Sequence, residues 1–321
     1  MKEVSIATVD YNEYISGDPA RKAAFIQKIG DAFAEIGFAI VANHGLPAEV
    51  KDNLYDAAKK FFALPEDVKK RYEDMENGGQ RGYISKGRET AKGYKQADLK
   101  EFYHIGQEEL GNDPISSEYP KNIWANEVPE LKEAGLRVYN EFENVGRNLL
   151  RAIAVYLKLD ENYFDDKIYH GNSILRILHY YPVQNIDDVP EGAIRAGAHE
   201  DINLITLLMG ASANGLQAMT KDGKWLDVMP EPNQIVINMG DMLQRLTNGK
   251  LKSTTHRVIN LNREEMLKPR FSTPFFLHPR SDMDLTCLES CVDAEHPKKF
   301  EDMTAGEYLD ERIGELGLKK N

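Results

Sequence analysis

Apolar residues recur at helical spacing in the N-terminal half of the chain. The first such set follows Asp18-Pro19, an N-cap residue and a proline at the first helical position, and comprises Phe25, Ile29, Phe33 and Ile36. A spacing of three or four residues places these side chains on one face of a helix. The pattern therefore predicts an amphipathic helix that ends at Gly37.

The other elements of this half are also marked by their apolar residues. The short run at 38–41 predicts a buried strand that ends at the turn Asn43-His44-Gly45. A second helix is predicted at about residues 47–62. A long helix follows, marked by Phe142, Val145, Leu149, Ile153 and Tyr156.

After Asn172 the pattern changes from helical to extended. Apolar runs predict seven strands, at residues 173–181, 199–209, 216–219, 225–228, 234–239, 254–261 and 270–277. Asp222-Gly223 lies between two of them and is a typical hairpin turn. We therefore expect a mostly helical region at 1–165 and an antiparallel β-sandwich or barrel with a C-terminal helix at 166–321, together in one compact unit.

Composition and charge exclude several classes of function. The 321 residues include 40 Lys and Arg against 52 Asp and Glu, a formal net charge of −12. An acidic chain repels phosphate backbones, so no nucleic acid is expected as a partner. The longest apolar runs, 36–42 and 204–209, are far too short to span a membrane, and no basic-then-apolar signal pattern opens the chain. These features favour a cytoplasmic protein.

Glycines are concentrated between residues 77 and 93, where Arg81 and Arg88 also lie. Such a composition is typical of a loop rather than of packed core. The arginines are either solvated loop charges or part of a lid that contacts an acidic substrate. On the second interpretation Arg81 and the nearby Tyr83 are candidate substrate contacts.

Three residues of the C-terminal half could hold a metal ion. His199 and Asp201 are two residues apart in a predicted strand, so the strand period points both side chains to one face. His256 lies in a later predicted strand, which an antiparallel barrel could bring beside this pair. Two histidines and one carboxylate form a facial triad that suits Fe(II), because three positions stay open for other ligands. Taken alone, this spacing also occurs by chance or for structural reasons.

A second pair with the same spacing, Arg270 and Ser272, follows on the last predicted strand. The planar guanidinium of arginine matches a carboxylate, and the hydroxyl can donate one more hydrogen bond to the same group. The alternative is a surface arginine in a strand.

The segments around these residues resemble one known family, the iron(II)- and 2-oxoglutarate-dependent oxygenases of the isopenicillin N synthase-like group. The similar N-terminal segments are GFAIVANHGL at 37–46, RGY at 81–83 and DLKEFY at 98–103. The similar C-terminal segments are HEDINLITLL at 199–208, NMGDM at 238–242, LTNG at 246–249, HRVIN at 256–260 and RFSTPFF at 270–276. The resemblance covers nearly the whole chain, and the segments occur in the family's order.

The resemblance implies a role for each matching residue. His199, Asp201 and His256 would ligate Fe(II). The distal carboxylate of 2-oxoglutarate would be held by Arg270 and Ser272, with Tyr181 as a further contact. Phe276 would form an apolar wall beside the substrate. His179 departs from the family pattern, since plant-type members often have Asn at that place.

The resemblance also implies a fold and an activity. The fold would be a double-stranded β-helix, or jelly roll, flanked by α-helices. The enzyme would use Fe(II), 2-oxoglutarate and O2 to hydroxylate, desaturate or cyclise a small organic molecule, with release of succinate and CO2. Isopenicillin N synthase itself keeps the Arg-x-Ser pair without using 2-oxoglutarate, so an iron oxidase without cosubstrate stays open, as does a non-catalytic jelly-roll binding protein. Succinate release separates the first two, and iron-dependent oxygen uptake separates both from the third.

Overall fold

The structure is a computed structural model, and it describes residues 5–74, 76–88, 98–108, 110–185, 195–210, 215–259 and 263–315. Its helices are α1 Tyr11–Ile15, α2 Pro19–Glu35, α3 Ala48–Phe62, α4 Glu66–Lys69, α5 Glu130–Tyr156, α6 Asp165–Ile168, α7 Asp241–Leu246, α8 Arg263–Met266 and α9 Ala305–Glu315. Its strands are β1 Ala7–Asp10, β2 Phe38–Ala42, β3 Gly82–Ile84, β4 Glu101–Gly106, β5 Ile174–Tyr180, β6 Ala196–His199, β7 Ile205–Gly210, β8 Leu216–Met219, β9 Trp225–Asp227, β10 Ile235–Met239, β11 His256–Val258 and β12 Arg270–Leu277.

The strands form two sheets that pack against each other. The larger sheet has eight strands in the order β1-β2-β10-β7-β12-β5-β4-β3, and the smaller has four in the order β6-β11-β8-β9. Apolar side chains from both sheets meet in one buried cluster, in which Phe38 and Val236 of the larger sheet join Leu216 and Val258 of the smaller. This arrangement confirms the predicted double-stranded β-helix flanked by helices.

Helices α2 and α5 cover the outer face of the larger sheet. Phe275 of β12, for example, packs edge-on against Tyr139 of α5, with ring centroids 5.0 Å apart. The N-terminal region contributes more than helices, because β1 to β4 all belong to the larger sheet. The division of the chain near residue 165 stays a prediction.

Several predicted elements match the structure closely. The predicted helices that end before Gly37 and at residue 62 correspond to α2 and α3, and the Asp222-Gly223 turn joins β8 to β9. Residues 89–93 of the glycine-rich segment and residues 260–261 of a predicted strand lie outside the described residues. Within the described part of the chain, no helix combines the length and the apolar character needed to cross a membrane.

Candidate metal centre and substrate pocket

Two histidines and one carboxylate meet at the edge of the smaller sheet. His199 of β6 lies directly opposite His256 of β11. The Nε2 atoms of His199 and His256 lie 3.8 Å and 3.9 Å from Oδ1 of Asp201. The three potential ligand atoms lie within 4.8 Å of one another, and no other group of three such side chains that could hold a metal is found among the described residues.

Asp201 reaches this cluster from a turn and not from a strand. The single strand predicted at 199–209 is wrong, because β6 ends at His199 and β7 begins at Ile205. Residues 200–204 carry the chain from the smaller sheet to the larger one. The strand period therefore does not explain why Asp201 and His199 converge.

Contacts with the start of α7 hold this turn in place. The backbone N–H of Asp241 donates to the carbonyl oxygen of Asp201 at 2.7 Å, and the N–H of Gly240 donates to that of Leu204 at 2.9 Å. A Cβ atom at Gly240 would lie 2.1 Å from the carbonyl oxygen of Asn203. The close approach of the two segments therefore requires glycine at position 240.

Hydrogen bonds orient the carboxylate of Asp201. Its Oδ2 atom accepts from the Thr206 hydroxyl at 2.6 Å and from the Asn238 side-chain amide at 2.7 Å. Burial alone would raise the pKa of Asp201, but the two imidazoles and these hydrogen bonds lower it below its ordinary value. The carboxylate is therefore ionised at neutral pH, with Oδ1 facing the histidines.

Backbone carbonyls orient the two imidazoles. Nδ1 of His199 lies 2.7 Å from the carbonyl oxygen of Gly197, and Nδ1 of His256 lies 3.1 Å from that of Thr254. These contacts assign the proton to Nδ1 in each ring, which leaves the Nε2 lone pairs directed to the cluster. The protein around the ring and the neighbouring His256 lower the pKa of His199 below its ordinary value, although 43% of the side chain is exposed.

The donor set fits Fe(II). It consists of the Nε2 atoms of two imidazoles and one ionised carboxylate oxygen, and each of the three groups is fixed by a hydrogen bond on its far side. Two histidines and one carboxylate on one face are typical of non-haem iron oxygenases, whereas structural zinc sites favour a closed tetrahedron.

β5 and β12 present a row of paired side chains on the pocket side of the larger sheet. The antiparallel register pairs Arg270 with Tyr180, Ser272 with Leu178 and Phe276 with Ile174. Directly opposite residues in an antiparallel pair share a face, so these side chains point the same way.

The predicted cosubstrate residues lie at one end of this row, with one exception. Arg270 and Ser272 are both buried, and the Arg270 guanidinium lies 4.9 Å from the ring centroid of Tyr180. Tyr181 follows the end of β5, and its ring contacts Nζ of Lys86 at 4.3 Å. The structure therefore brings Tyr180, rather than Tyr181, beside Arg270, because the register across β5 and β12 places Tyr180 opposite the arginine.

A pocket of about 480 Å³ opens over the metal cluster. His199 and Asp201 form part of its lining, together with Phe276, Lys100, Arg176, Asn172, His278 and Arg312. Lys100 is paired with Asp98 in a buried ion pair at 2.8 Å. The pocket thus combines an aromatic wall with several polar side chains next to the potential metal ligands, as small-molecule sites commonly do.

Arg176 is held rigidly in the pocket wall. Its Nε donates to Nε2 of His104 at 2.7 Å, and Nδ1 of His104 lies 2.8 Å from the carbonyl oxygen of Gly79. The guanidinium lies 4.2 Å from the ring centroid of Phe102 and 5.3 Å from that of Phe276. Arg176 therefore presents a planar cation beside an aromatic ring within the pocket.

The two other predicted substrate residues lie elsewhere. Tyr83 is buried on the helix side of the sheet, where its hydroxyl donates to Glu101 and its ring packs 5.6 Å from that of Phe61. Arg81 is fully buried behind the pocket, so both interpretations of it, a solvated charge and a lid, are wrong. The missing side chain of Gly106 makes room for it, since a Cβ there would lie 2.0 Å from Cζ of Arg81.

Several residues near the site were not predicted from the sequence. Arg176 and His278 continue the two-residue period of the row on β5 and β12, and this periodicity was the available signal. Leu309, Arg312 and Ile313 line the pocket from α9, and no local pattern indicates where that helix docks. Arg195, which is buried and lies 5.6 Å from the ring of Tyr180, gives no signal in the sequence.

Two family models match the chain. Residues 6–127 match the N-terminal region described as that of a non-haem dioxygenase in morphine synthesis, and residues 172–279 match the 2OG-Fe(II) oxygenase superfamily. The second match contains the metal cluster, Arg270 and Ser272. The chain belongs to the 2-oxoglutarate- and iron(II)-dependent oxygenases of the isopenicillin N synthase-like superfamily.

Individual relatives agree with this assignment. The 2-oxoglutarate-Fe(II) type oxidoreductase hxnY of Emericella nidulans is 32% identical over 319 residues, which cover 94% of this chain and 88% of the relative. A crystal structure of a 2OG-Fe(II) oxygenase family protein from Caulobacter crescentus has 42% identity and a TM-score of 0.88, with 98% of this chain and 100% of that chain covered. A full-length Neurospora crassa protein, solved in complex with alpha-KG and thymine, has 30% identity and a TM-score of 0.86, with 98% of each chain covered.

These comparisons confirm the predicted activity and cofactors. The enzyme is an oxidoreductase that uses Fe(II), 2-oxoglutarate and O2. The complex with alpha-KG favours this activity over the oxidase without cosubstrate. The Neurospora crassa relative holds two small molecules, alpha-KG and thymine.

Proposed function

We propose that this enzyme oxidises a small planar ring compound that carries polar oxygen atoms. In this proposal His199, Asp201 and His256 hold Fe(II), and Arg270 with Ser272 binds the distal carboxylate of 2-oxoglutarate. The substrate lies against Phe276. The observation that carries the proposal is the aromatic ring of Phe276, flanked by the Arg176 guanidinium, in the same pocket as His199 and Asp201.

The surroundings of Arg270 support its proposed role in binding the distal carboxylate of 2-oxoglutarate. The residue is 7% exposed, so a carboxylate bound to it is largely removed from water, where charge-assisted hydrogen bonds are strong. Ser272 lies two residues along the same strand face and is 3% exposed. The Tyr180 ring, opposite Arg270 in the strand pairing, lies 4.9 Å from the guanidinium.

The substrate class is supported by the shape and chemistry of the pocket wall. A flat ring can stack on Phe276, and polar oxygens at its edge can accept hydrogen bonds from the cationic and amide groups around it. The Neurospora relative holds thymine, a single ring with two carbonyl oxygens, which is the same class of compound. When bound, Fe(II) with 2-oxoglutarate supplies the activation of O2. The residues of this chain position the ring and exclude water from it.

Succinate release tests the proposal. Thymine, added as a representative ring compound, should increase succinate formation above the rate without substrate and yield an oxidised ring. Phe276→Ala should raise the KM for thymine by about tenfold, because stacking and apolar burial are lost. Phe300→Ala is the matched control, since Phe300 is partly buried beside Arg245 and does not line the pocket. If neither thymine nor any other planar ring compound increases succinate release, the proposed substrate class is wrong.

A further inference from the structure

Two polar residues lie side by side at the far end of the row on β5 and β12. Asn172 and His278 each lie two residues beyond the Phe276–Ile174 pair, just outside the two strands, and both line the same pocket as Phe276. The backbone N–H of Asn172 donates to the carbonyl oxygen of Pro279 at 3.2 Å, which keeps the two segments together. Asn172 is 8% exposed and His278 is 9% exposed, and both line the pocket.

A buried arginine fixes the orientation of Asn172. Nη2 of Arg81 donates to Oδ1 of Asn172 at 3.1 Å, and Nη1 of Arg81 donates to the carbonyl oxygen of Gln80 at 2.9 Å. Only the oxygen of the Asn172 amide can accept from a guanidinium, so the NH2 group of Asn172 is the part left for other contacts. Its two N–H groups make no hydrogen bond to a described residue.

The His278 imidazole has no hydrogen-bond partner among the described residues, although the backbone of His278 bonds to the Ser173 hydroxyl. Neither of its ring nitrogens bonds to a described residue, and Nδ1 is fully buried. Burial lowers the pKa of His278 to about 4, with Asp201 opposing the shift and Arg81 adding to it. The imidazole is therefore neutral at pH 7, with one nitrogen able to donate and the other able to accept. Buried polar groups in native proteins almost always have partners, so a bound molecule is expected to supply one.

The buried positive charge of Arg81 limits which chemical groups can bind beside Asn172 and His278. Arg81 forms no ion pair with a carboxylate of the described residues, and its guanidinium lies directly behind Asn172. A cationic group would be repelled by it, and an apolar group would leave Asn172 and His278 unsatisfied. An electron-rich oxygen satisfies the Asn172 N–H groups and is attracted by the buried charge.

We infer that Asn172 and His278 form a subsite that binds a carbonyl or carboxylate oxygen of the substrate, with Arg81 as the positioning residue for Asn172. This inference rests on the proposed function only in that the oxygen belongs to a molecule bound in the same pocket. The subsite would hold one oxygen of the substrate in a fixed position, and this position determines which substrate carbon faces the metal cluster.

Calorimetry tests the subsite. It measures how tightly small ring probes bind, without O2, to the enzyme loaded with Fe(II) and 2-oxoglutarate. The ring probes are thymine, which offers carbonyl oxygens, benzoate, which offers a carboxylate, and toluene, which offers neither. Asn172→Asp keeps an acceptor for Arg81 but replaces the N–H donors by an oxygen. It should weaken thymine binding at least tenfold and benzoate binding still more, and should leave toluene binding unchanged. His278→Phe should also weaken the two oxygen-bearing probes, and His278→Gln should restore part of the affinity.

The controls separate this inference from the proposed function. His44→Phe changes an equally buried histidine that lines a different cavity, and it should not alter binding. Arg81→Lys should retain more of the preference for benzoate over toluene than Arg81→Met does, an effect that a purely structural role for Arg81 would not produce. Acetamide and acetate serve as probes without a ring.

The possible outcomes distinguish the Asn172–His278 subsite from the proposed ring class of the substrate. If acetamide or acetate binds in a manner that depends on Asn172 while no ring probe binds, the subsite is supported and the proposed ring class is wrong. If thymine binding depends on Phe276 but is unchanged in Asn172→Asp and His278→Phe, the ring class is supported and the subsite is overturned. If the parent protein binds none of the oxygen-bearing probes, the subsite is overturned as well.

Discussion

The two carboxylate oxygens of Asp201 make different contacts. Oδ2 accepts hydrogen bonds from Thr206 and Asn238, and Oδ1 faces the two histidines. The two histidines and, to a smaller extent, these two donors lower the pKa of the buried carboxylate and so favour its ionised form, which is the form that a metal requires. The side chains behind the cluster thus determine its affinity together with the three potential ligands.

The first prediction concerns the donor behind Asp201. Asn238→Ala removes the hydrogen bond to Oδ2, and it should weaken Fe(II) binding by about 10- to 100-fold. His256→Ala removes a proposed ligand and should abolish most of the binding. Anaerobic equilibrium dialysis measures both effects, with Asn12→Ala, an exposed amide on α1, as the control. Equal iron affinity in the parent and in Asn238→Ala would show that Oδ2 needs no such support.

The second prediction concerns the proposed carboxylate clamp. Arg270→Lys keeps the charge but loses the planar pair of donors, so at least one charge-assisted hydrogen bond is lost. Such a bond contributes about 1.5–3 kcal/mol, which corresponds to a rise in the dissociation constant of 2-oxoglutarate of about 10- to 100-fold. Ser272→Ala should have a smaller effect because the ion pair remains. An anaerobic titration of the iron-loaded protein measures all three constants, and an unchanged constant in Arg270→Lys would contradict the clamp.

At the scale of elements, the turn between β6 and β7 does most to form the site. It moves the chain from one sheet to the other and places Asp201 beside the two histidines. Its shape depends on α7, which begins next to it and donates backbone N–H groups to it. The metal cluster is therefore sensitive to how closely α7 approaches the turn.

Gly240→Ala tests this dependence. The added Cβ would lie 2.1 Å from a backbone oxygen of Asn203, which cannot move aside as a flexible side chain can. We expect a loss of about 1–3 kcal/mol in the free energy of unfolding, together with weaker Fe(II) binding. Gly314→Ala is the matched control, because no atom lies within 4 Å of that position in α9. Alanine there should leave stability unchanged or raise it slightly. Normal stability and iron affinity in Gly240→Ala would mean that the turn can shift without cost.

The same elements show what local sequence patterns can and cannot predict. The two-residue period correctly places Arg270 and Ser272 on one strand face, because alternation is a local property of the backbone. It fails for His199 and Asp201, because the break in the strand depends on a distant segment, α7. The role of Tyr181 as a 2-oxoglutarate contact stays a prediction; that Tyr180 is the tyrosine opposite Arg270 could not be read from the motif, because register is set by strand pairing. Arg81 lies in a glycine-rich segment but is buried, owing to a space that Gly106 provides from another strand.

At the scale of the whole molecule, the C-terminal helix connects the pocket to the support of the metal cluster. Leu309 and Ile313 of α9 line the pocket. On the same helix, the Tyr308 hydroxyl donates to Oδ2 of Asp241 at 3.0 Å, and Nη2 of Arg312 lies 3.9 Å from the same oxygen. Asp241 begins α7, so one buried carboxylate joins the last helix of the chain to the turn that carries Asp201.

This carboxylate should make stability depend on pH. Burial, reinforced by Glu200, raises the pKa of Asp241 from 3.8 to about 6. Between these two values the folded protein binds more protons at this site than the unfolded chain does, so the contribution of Asp241 to stability falls as pH rises through the window and is constant above it. Asp241→Asn can still accept the hydrogen bond from Tyr308 but has no charge to bury. Relative to the parent, the free energy of unfolding of the variant should therefore rise by about 1–3 kcal/mol between roughly pH 4 and pH 6, and the difference should persist at pH 7. Urea unfolding of both proteins across this range measures the difference, and a difference that does not change with pH would show that Asp241 is already ionised throughout.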